Sequence, residues 1–327
     1  MPDGAPIVAP RTEVVVVGAG IAGLVAARTL AAAGYGVIVL EQGPVVGGRL
    51  ATALIGAARL DHGAQFFTVR GEQFGHVVQD AVAQGAVQEW CRGFSEVDGF
   101  ARYVGREGMV GLAHWLAAGL DVRTGVRVTD LAEFPAAGYV LTAPIPQSLN
   151  VLANSARLPH PDLADRLAAF TYEPVLAVLA ELDAEPALPA PGALQLAEHP
   201  RFSFIADNRA KGVSAVPAVT FHVTNAVSRA RWAEPDDVLL TSLLAEGAGW
   251  LGGAGVLQAQ LVRWRYAAPS VLWPATHLVV SEHPQPIVMA GDGFDGPKVE
   301  GAFCSGLAAS QALVDRLDAR RKGAGCA

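Results

Sequence analysis

Residues 12–41 read TEVVVVGAGIAGLVAARTLAAAGYGVIVLE: an apolar β-branched run, a glycine cluster, an alanine-rich segment and a second apolar run closed by an acid. Val14 to Val17 form a short, continuously apolar strand of the kind buried on both faces in a parallel sheet. Gly18, Gly20 and Gly23 then spell G-x-G-x-x-G. The first glycine of that spacing permits a tight turn, the second lets backbone approach a pyrophosphate, and the third lets helix pack on strand. The helix expected from Ile21 to Ala33 is built of good helix formers and stops at Gly34. Its partly positive N-terminus, at Ile21 and Ala22, faces the phosphates. Val37 to Leu40 is the returning parallel strand. Glu41 closes it, about 20 residues past the glycines, where an acid accepts hydrogen bonds from adenosine ribose hydroxyls. Glycine-rich turns arise by chance in a chain with 36 glycines, but the full order of strand, turn, helix, strand and acid is far more specific. By itself the stretch suits FAD and NAD(P) alike.

Outward from it, Gln42 leads to Gly47-Gly48-Arg49, where glycines let the backbone pass close to a ligand and the arginine can reach phosphate or ring-edge atoms. Asp61-His62-Gly63-Ala64-Gln65-Phe66-Phe67 follows. Small residues flanked by polar and aromatic ones suit a backbone lying against a flat ring, with Gln65 and Phe66 near its face. The same residues also read as a turn followed by core phenylalanines.

Composition limits the alternatives. A chain of 327 residues supports about two domains. Half of it is hydrophobic (51%), yet no apolar run approaches the roughly 20 residues of a membrane span. The first eleven residues lack the pattern of a secretory signal. A net charge of −7 disfavours nucleic acid and anionic membranes as partners. Cys91, Cys304 and Cys326 are odd in number and far apart, which argues against a disulfide framework and a metal site and fits a cytoplasmic location. Cys326 does not sit at a prenylation position.

G-G-R followed by D-H-G-A-Q-F-F-T-V-R resembles the flavin amine-oxidase superfamily and, most closely, its renalase-like branch. That resemblance implies noncovalent FAD, because no cysteine stands in the S-G-G-C setting of a covalent flavin link. It puts Glu41 on the adenosine ribose and Arg49 near pyrophosphate and flavin. It places the backbone of Arg127 and Val128, after a G-M helix and a strand over 122–128, at the adenine. Ala143 lies at the ligand-facing end of a strand over 138–146. The run 287–290 reads as another buried strand, followed by Gly291-Asp292. Pro297 suits the first turn of a helix from Val299 to Leu317. Resemblance puts Asp292 on the ribityl or pyrophosphate region, with Lys298, Val299 and Ala302 at a helix start facing the flavin pyrimidine edge. A helix N-terminus stabilises negative charge there by about 0.3–2 kcal/mol.

Between these ends, 172–182, 202–205 and 219–223 read as antiparallel strands, 228–250 as mainly helical and 257–266 as a closing strand. The expected fold is α/β, a Rossmann-type FAD-binding domain over 1–70, 104–165 and 270–327. A second α+β substrate domain built on an antiparallel sheet covers 71–103 and 166–269. Pocket candidates are Gln65, Phe66, His222, Asn225, Trp264, Tyr266 and Trp273. R-W-R-Y-A at 263–267 resembles the renalase-like strand that leads back to the flavin. His222 also reads as a satisfied core histidine.

The resemblance implies an oxidase in which a small donor passes a hydride to flavin N5 and molecular oxygen takes the electrons, giving hydrogen peroxide. The donor it implies is a 2- or 6-dihydro isomer of NAD(P)H. The cofactor carries the redox step, and hydride loss from an electron-rich donor requires no acid or base. An amine oxidase or desaturase of the same superfamily is the alternative within enzymes, and a non-catalytic, redox-responsive flavin binder is the alternative outside them. Outside 12–41 a strand, glycine turn, helix, strand and acid do not occur together, so a separate nicotinamide domain is not expected.

Overall fold

In the computed structural model, which describes residues 11–94 and 99–324, the opening stretch folds as strand β1 (Arg11–Val17), helix α1 (Ile21–Ala32) and strand β2 (Tyr35–Glu41). The strands pair in parallel, Val14 opposite Val37 and Val17 opposite Leu40. Continuous apolarity is needed because both faces are covered. Val14 and Val16 enter a core with Leu24 and Leu30 of α1, whereas Val15 and Val17 enter a second core with Leu141, Ile145 and Val151. Gly34, at φ +82°, takes the left-handed conformation that ends the helix.

A hairpin of β3 (Thr52–Ile55) and β4 (Ala58–Asp61) comes next. Helix α2 (Glu72–Ala83), strands β5 (Val87–Cys91) and β6 (Arg102–Gly105), helix α3 (Val110–Ala117) and strand β7 (Asp121–Thr124) follow. After β8 (Gly138–Leu141) the chain forms α4 (Ile145–Asn154) and α5 (Pro161–Ala168), then β9 (Tyr172–Leu182), β10 (Ala193–Gln195), β11 (Phe202–Asp207) and β12 (Ala218–Val223). Helices α6 (Asn225–Ala230), α7 (Asp236–Glu246) and α8 (Ala248–Leu251) precede the long strand β13 (Val256–Pro269). The chain closes with β14 (Leu278–Ser281), β15 (Ile287–Met289), α9 (Asp292–Asp295) and α10 (Val299–Ala324).

Among the described residues a six-stranded sheet has the order β14-β15-β8-β1-β2-β7 and a five-stranded sheet the order β10-β11-β12-β9-β13. The fold is therefore α/β, a Rossmann-like layer joined to a separate antiparallel sheet. Two local expectations are corrected. The strand expected over 122–128 ends at Thr124, because Val126 turns its N–H to the Glu41 carbonyl at 2.9 Å. The strand expected over 138–146 ends at Leu141, and Pro146 falls in the first turn of α4, where a missing N–H costs nothing. The helical region over 228–250 is divided into α6, α7 and α8, and the β3–β4 hairpin was not expected at all. Cys326 and the first ten of the eleven residues in the leader reading lie outside the described residues.

Register decides what the antiparallel sheet presents to each side. Phe204, His222, Ala177 and Val262 lie opposite one another across β11, β12, β9 and β13, and Thr220 and Trp264 share their face. Leu179 and Ala218 on this inner face pack on Ile55, Ala58 and Leu60 of the hairpin. The outer face carries Val178, Ile205, Val219 and Phe221, which bury Leu239, Leu243 and Leu251 of α7 and α8. In β13 the register slips between Trp264 and Ala268. The extra residues bulge out of the ladder, a device that re-aims backbone groups.

Helix α10 lies on α1 at close range, since a Cβ added at Gly306 would stand 2.2 Å from the Ala22 carbonyl oxygen. Gly306→Val is expected to lose about 3 kcal/mol of unfolding free energy through overpacking. Gly249→Ala, where an added Cβ meets nothing within 4 Å, should stay within about 0.5 kcal/mol of the parent. Urea denaturation of both variants checks the contrast.

Candidate functional site

The glycine turn is built for close approach. Gly18, at φ +104°, donates its N–H to the Leu40 carbonyl at 2.8 Å, and a Cβ at Gly23 would fall 1.9 Å from the Gly18 carbonyl oxygen. Above Gly20 a Cβ would meet nothing within 4 Å, so open space lies over the N-terminus of α1. Ile21 and Ala22 are buried, which leaves their backbone as the ligand-facing part. Glu41 is fixed at the end of β2. Its Oε2 accepts from Ala19 N–H at 2.8 Å and its Oε1 from Gly43 N–H at 2.7 Å, and each oxygen keeps acceptor capacity for a hydroxyl. Gln42 is exposed beside it. Gly125 N–H and Val126 N–H donate to the Gly43 and Glu41 carbonyls, carrying Arg127, exposed, and Val128, buried, to this end. Gly48 lies against Gly20. Thr142, next to Ala143, was not anticipated; its hydroxyl donates to the Val17 carbonyl at 2.9 Å and lies 3.2 Å from that of Gly18.

A second cluster joins residues 243 positions apart. Arg49 forms a two-pronged ion pair with Asp292, Nη2 donating to Oδ1 at 2.6 Å and Nη1 engaging Oδ2. Nη1 also reaches the Tyr266 and Ala267 carbonyls at 3.2 and 3.3 Å, backbone groups that the β13 bulge turns inward. Tyr266 packs edge-on against Tyr172 at 5.6 Å. Burial, and after it the Asp292 charge, push the Tyr172 hydroxyl up to about 12, so it stays protonated. Gly291 donates its N–H to Ser305 Oγ at 2.8 Å, tying this turn to α10. Asp292 opens the short α9, which precedes the α10 start, where Lys298 is exposed and Val299 and Ala302 are buried. Cys304 lies one turn on; its thiol pKa is pushed up by burial and by Asp295 and Glu300.

The segment from Asp61 to Gln65 is held by the inner face of the antiparallel sheet. Asp61 Oδ2 stands 2.7 Å from Lys211 Nζ, and both side chains have zero solvent exposure. Asp61 Oδ1 accepts from Thr52 Oγ1 at 2.5 Å and Met109 N–H at 2.7 Å. Its N–H donates to Asn208 Oδ1 at 3.1 Å, and its carbonyl accepts from Thr220 Oγ1 at 2.9 Å and Gln65 Nε2 at 2.7 Å. Lys211 also donates to Gln65 Oε1 at 3.1 Å, and Gln65 Nε2 lies 3.3 Å from His222 Nε2. Trp264 Nε1 donates to the His62 carbonyl at 2.7 Å, and the two rings stack at 5.4 Å. A Cβ at Gly63 would fall 2.0 Å from the Arg49 carbonyl oxygen, which also accepts Ala64 N–H at 2.8 Å. Burial lowers the His62 pKa against the raising effect of Asp61. Burial, then Lys211, push His222 down to about 4.

His62, Gln65, His222 and Trp264 thus meet in one place, with Gln65 turned inward. Phe66 instead joins Trp90, Phe94 and Phe204 in an aromatic cluster. Tyr266 belongs with Arg49 and Asp292. Trp273 is buried in the second core against Phe170, under Arg166. Asn225, at the start of α6, lies 3.4 Å from the Pro174 carbonyl. Asn208, Lys211 and Thr220 were missed. Thr220 had a signal, a strand A-V-T-F-H-V with polar residues at two alternate positions, whereas Asn208 and Lys211 lie in the turn after β11. Among the described residues no group of His, Cys, Asp and Glu could hold a metal, and no helix is long and apolar enough to cross a membrane.

Residues 16–81 match a family model described as an NAD(P)-binding Rossmann-like domain. The chain is 39% identical over 98 residues to polyamine oxidase 1 of Oryza sativa subsp. japonica, covering 29% of this chain and 19% of that protein. It is 54% identical over 56 residues to putrescine oxidase of Kocuria rosea, covering 17% and 12%. The chain therefore spans less than a fifth of the length of these curated relatives. A solved structure from Exiguobacterium sp. 255-15, provisionally assigned as a protoporphyrinogen oxidase, superposes with a TM-score of 0.69 at 13% identity over 94% of this chain and 99% of its own. All three carry the names of oxidases. At that identity the structural likeness carries the fold.

His222 gives a pH prediction. Its pKa is about 4 when folded and 6.5 ordinarily, so the unfolded chain takes the proton first. Stability should fall as pH drops from about 6.5 to about 4. His222→Gln should flatten that part of a pH series of urea unfolding curves; an unchanged slope would assign the loss to another group.

Proposed function

We propose that the protein is an FAD-dependent oxidoreductase of the flavin amine-oxidase type, holding FAD noncovalently and oxidising a small hydride donor with molecular oxygen as acceptor, giving hydrogen peroxide. The Arg49–Asp292 pair is the observation that carries this reading. The glycine turn and Glu41 serve an adenosine-pyrophosphate half, and the pair adds polar groups for a far half. FAD, when bound, supplies the hydride-accepting ring. The chain does the rest. The N-terminus of α1 and Gly48 would receive phosphate, Glu41 would hold ribose hydroxyls, and Arg49, its fork held by Asp292, would offer its Nε–H and remaining Nη2 proton to phosphate or ring-edge oxygens.

The inner sheet face shapes the donor side. His62 and Trp264 form a flat stacked wall, which suits a planar ring. With the resemblance, it favours 2- or 6-dihydro isomers of NAD(P)H. His62 and His222 are held neutral by burial and Tyr172 stays protonated, so these groups orient a donor without exchanging protons near neutral pH. A second reading, an amine donor, is favoured by the two relatives named for polyamine and putrescine oxidation.

Purified protein should show a flavin absorbance band that bleaches on anaerobic mixing with a 2- or 6-dihydronicotinamide isomer and returns with oxygen. Bleaching by putrescine alone would select the amine reading, and a colourless protein that binds no added FAD would overturn both. Arg49→Ala is expected to weaken FAD about 10- to 100-fold through loss of charged hydrogen bonds, read by fluorescence titration of the apoprotein.

A further inference from the structure

The buried ammonium of Lys211 has no part in the proposed chemistry, yet it lies one side chain away from the flavin-facing segment of that proposal. It is placed by the turn after β11, where Lys211 N–H donates to the Asp207 carbonyl at 3.0 Å and Val213 N–H to that of Asn208 at 2.9 Å. Two wholly buried charges are a costly way to hold two layers together, since a well-packed apolar pair is often equally stable. What an apolar pair cannot do is orient an amide. Lysine has donors only, so the Gln65 group 3.1 Å from its Nζ is the oxygen. The Gln65 NH2 is thereby forced toward the carbonyls of Asp61, at 2.7 Å, and Gly63, at 3.3 Å. This fastens the loop whose Gly63 and Ala64 rest on the Arg49 backbone.

We infer that Lys211 is a positioning residue for the proposed flavin site, fixing the Gln65 amide and through it the Asp61–Gln65 loop and Arg49. The inference rests on the flavin reading above. Lys211→Met alone strands the Asp61 carboxylate in a buried position, so the pair is replaced together. Asp61→Asn/Lys211→Met removes both charges and the donor to Gln65. Asp61→Asn/Lys211→Gln removes both charges and returns an amide donor.

The apoproteins are compared by thermal unfolding, and FAD binding by fluorescence titration and by the shape of the bound flavin band. Both neutral pairs are expected to unfold near the wild-type midpoint. The Met pair should bind FAD about tenfold more weakly, the loss of one charged hydrogen bond, with blunted shoulders on the flavin band, and the Gln pair should recover part of both. Equal FAD affinity and band shape in the wild type and the Met pair would reduce Lys211 to a structural role and overturn the inference. Failure of both neutral pairs to fold would overturn it as well. If wild-type apoprotein binds no FAD, the flavin reading itself fails, an outcome visible before any variant is made.

Discussion

An ion pair with no solvent exposure, Asp61 with Lys211, joins the two layers. Taking both ions out of water costs several kcal/mol each, and their attraction offsets this only when the remaining lone pairs and protons are satisfied. Here they are met in part: Asp61 Oδ2 faces the Lys211 charge at 2.7 Å without a hydrogen bond, and the other groups draw on several elements. Thr52 and Met109 supply Asp61 Oδ1, Gln65 takes one Lys211 proton, and Asn208 and Thr220 hold the Asp61 backbone. Loss of either charge would leave the other buried and unpaired. The sheet on one side and the hairpin on the other are therefore held in one relative placement, with the Leu179, Ala218, Ile55 and Leu60 contact supplying the apolar burial around the pair.

That placement has a chemical consequence. It sets His62 and Trp264 face to face and brings His222 against Gln65. Burial then fixes protonation, keeping both histidines in the form that carries no charge near neutral pH. Charge is concentrated instead at the Arg49–Asp292 fork, where the β13 bulge adds two carbonyls to the guanidinium. In the proposed function this separates an ion-paired, polar end for the cofactor from a neutral aromatic wall for the donor. The proposed hydride chemistry requires that division, since the donor loses a hydride without help from an acid or base.

The β1–α1–β2 unit was legible because its determinants are local. The Val14–Val17 strand, the three glycines, the helix to Gly34 and Glu41 are contiguous, and each follows from backbone sterics or burial periodicity acting over a few residues. Glu41 could be placed beside the glycine turn from spacing alone because β1 and β2 are neighbours in the sheet, so their ends coincide. The antiparallel strands were legible as elements for the same reason; β9 falls on the expected residues. Where a neighbour far along the chain competed for a hydrogen bond, expectation failed. Val126 leaves its strand for Glu41, and the β3–β4 hairpin exists because the inner sheet face receives its apolar side.

Sequence by itself determined the Rossmann-like layer, its turn and its acid, together with the presence of a second, β-rich portion, since propensity and periodicity act within one segment. The tertiary structure alone decided which distant residues meet. Arg49 with Asp292, Asp61 with Lys211, and Gln65 with His222 are separated by 243 residues in the first case and about half that or more in the others. It also separated candidates that share residue type, sending Trp264 to the His62 wall and Trp273 to the core with Val15 and Val17. The physical reason is register. A side chain's face in a strand alternates with every residue, so its partner is set by pairing and bulges across the sheet, which no local pattern in the chain encodes.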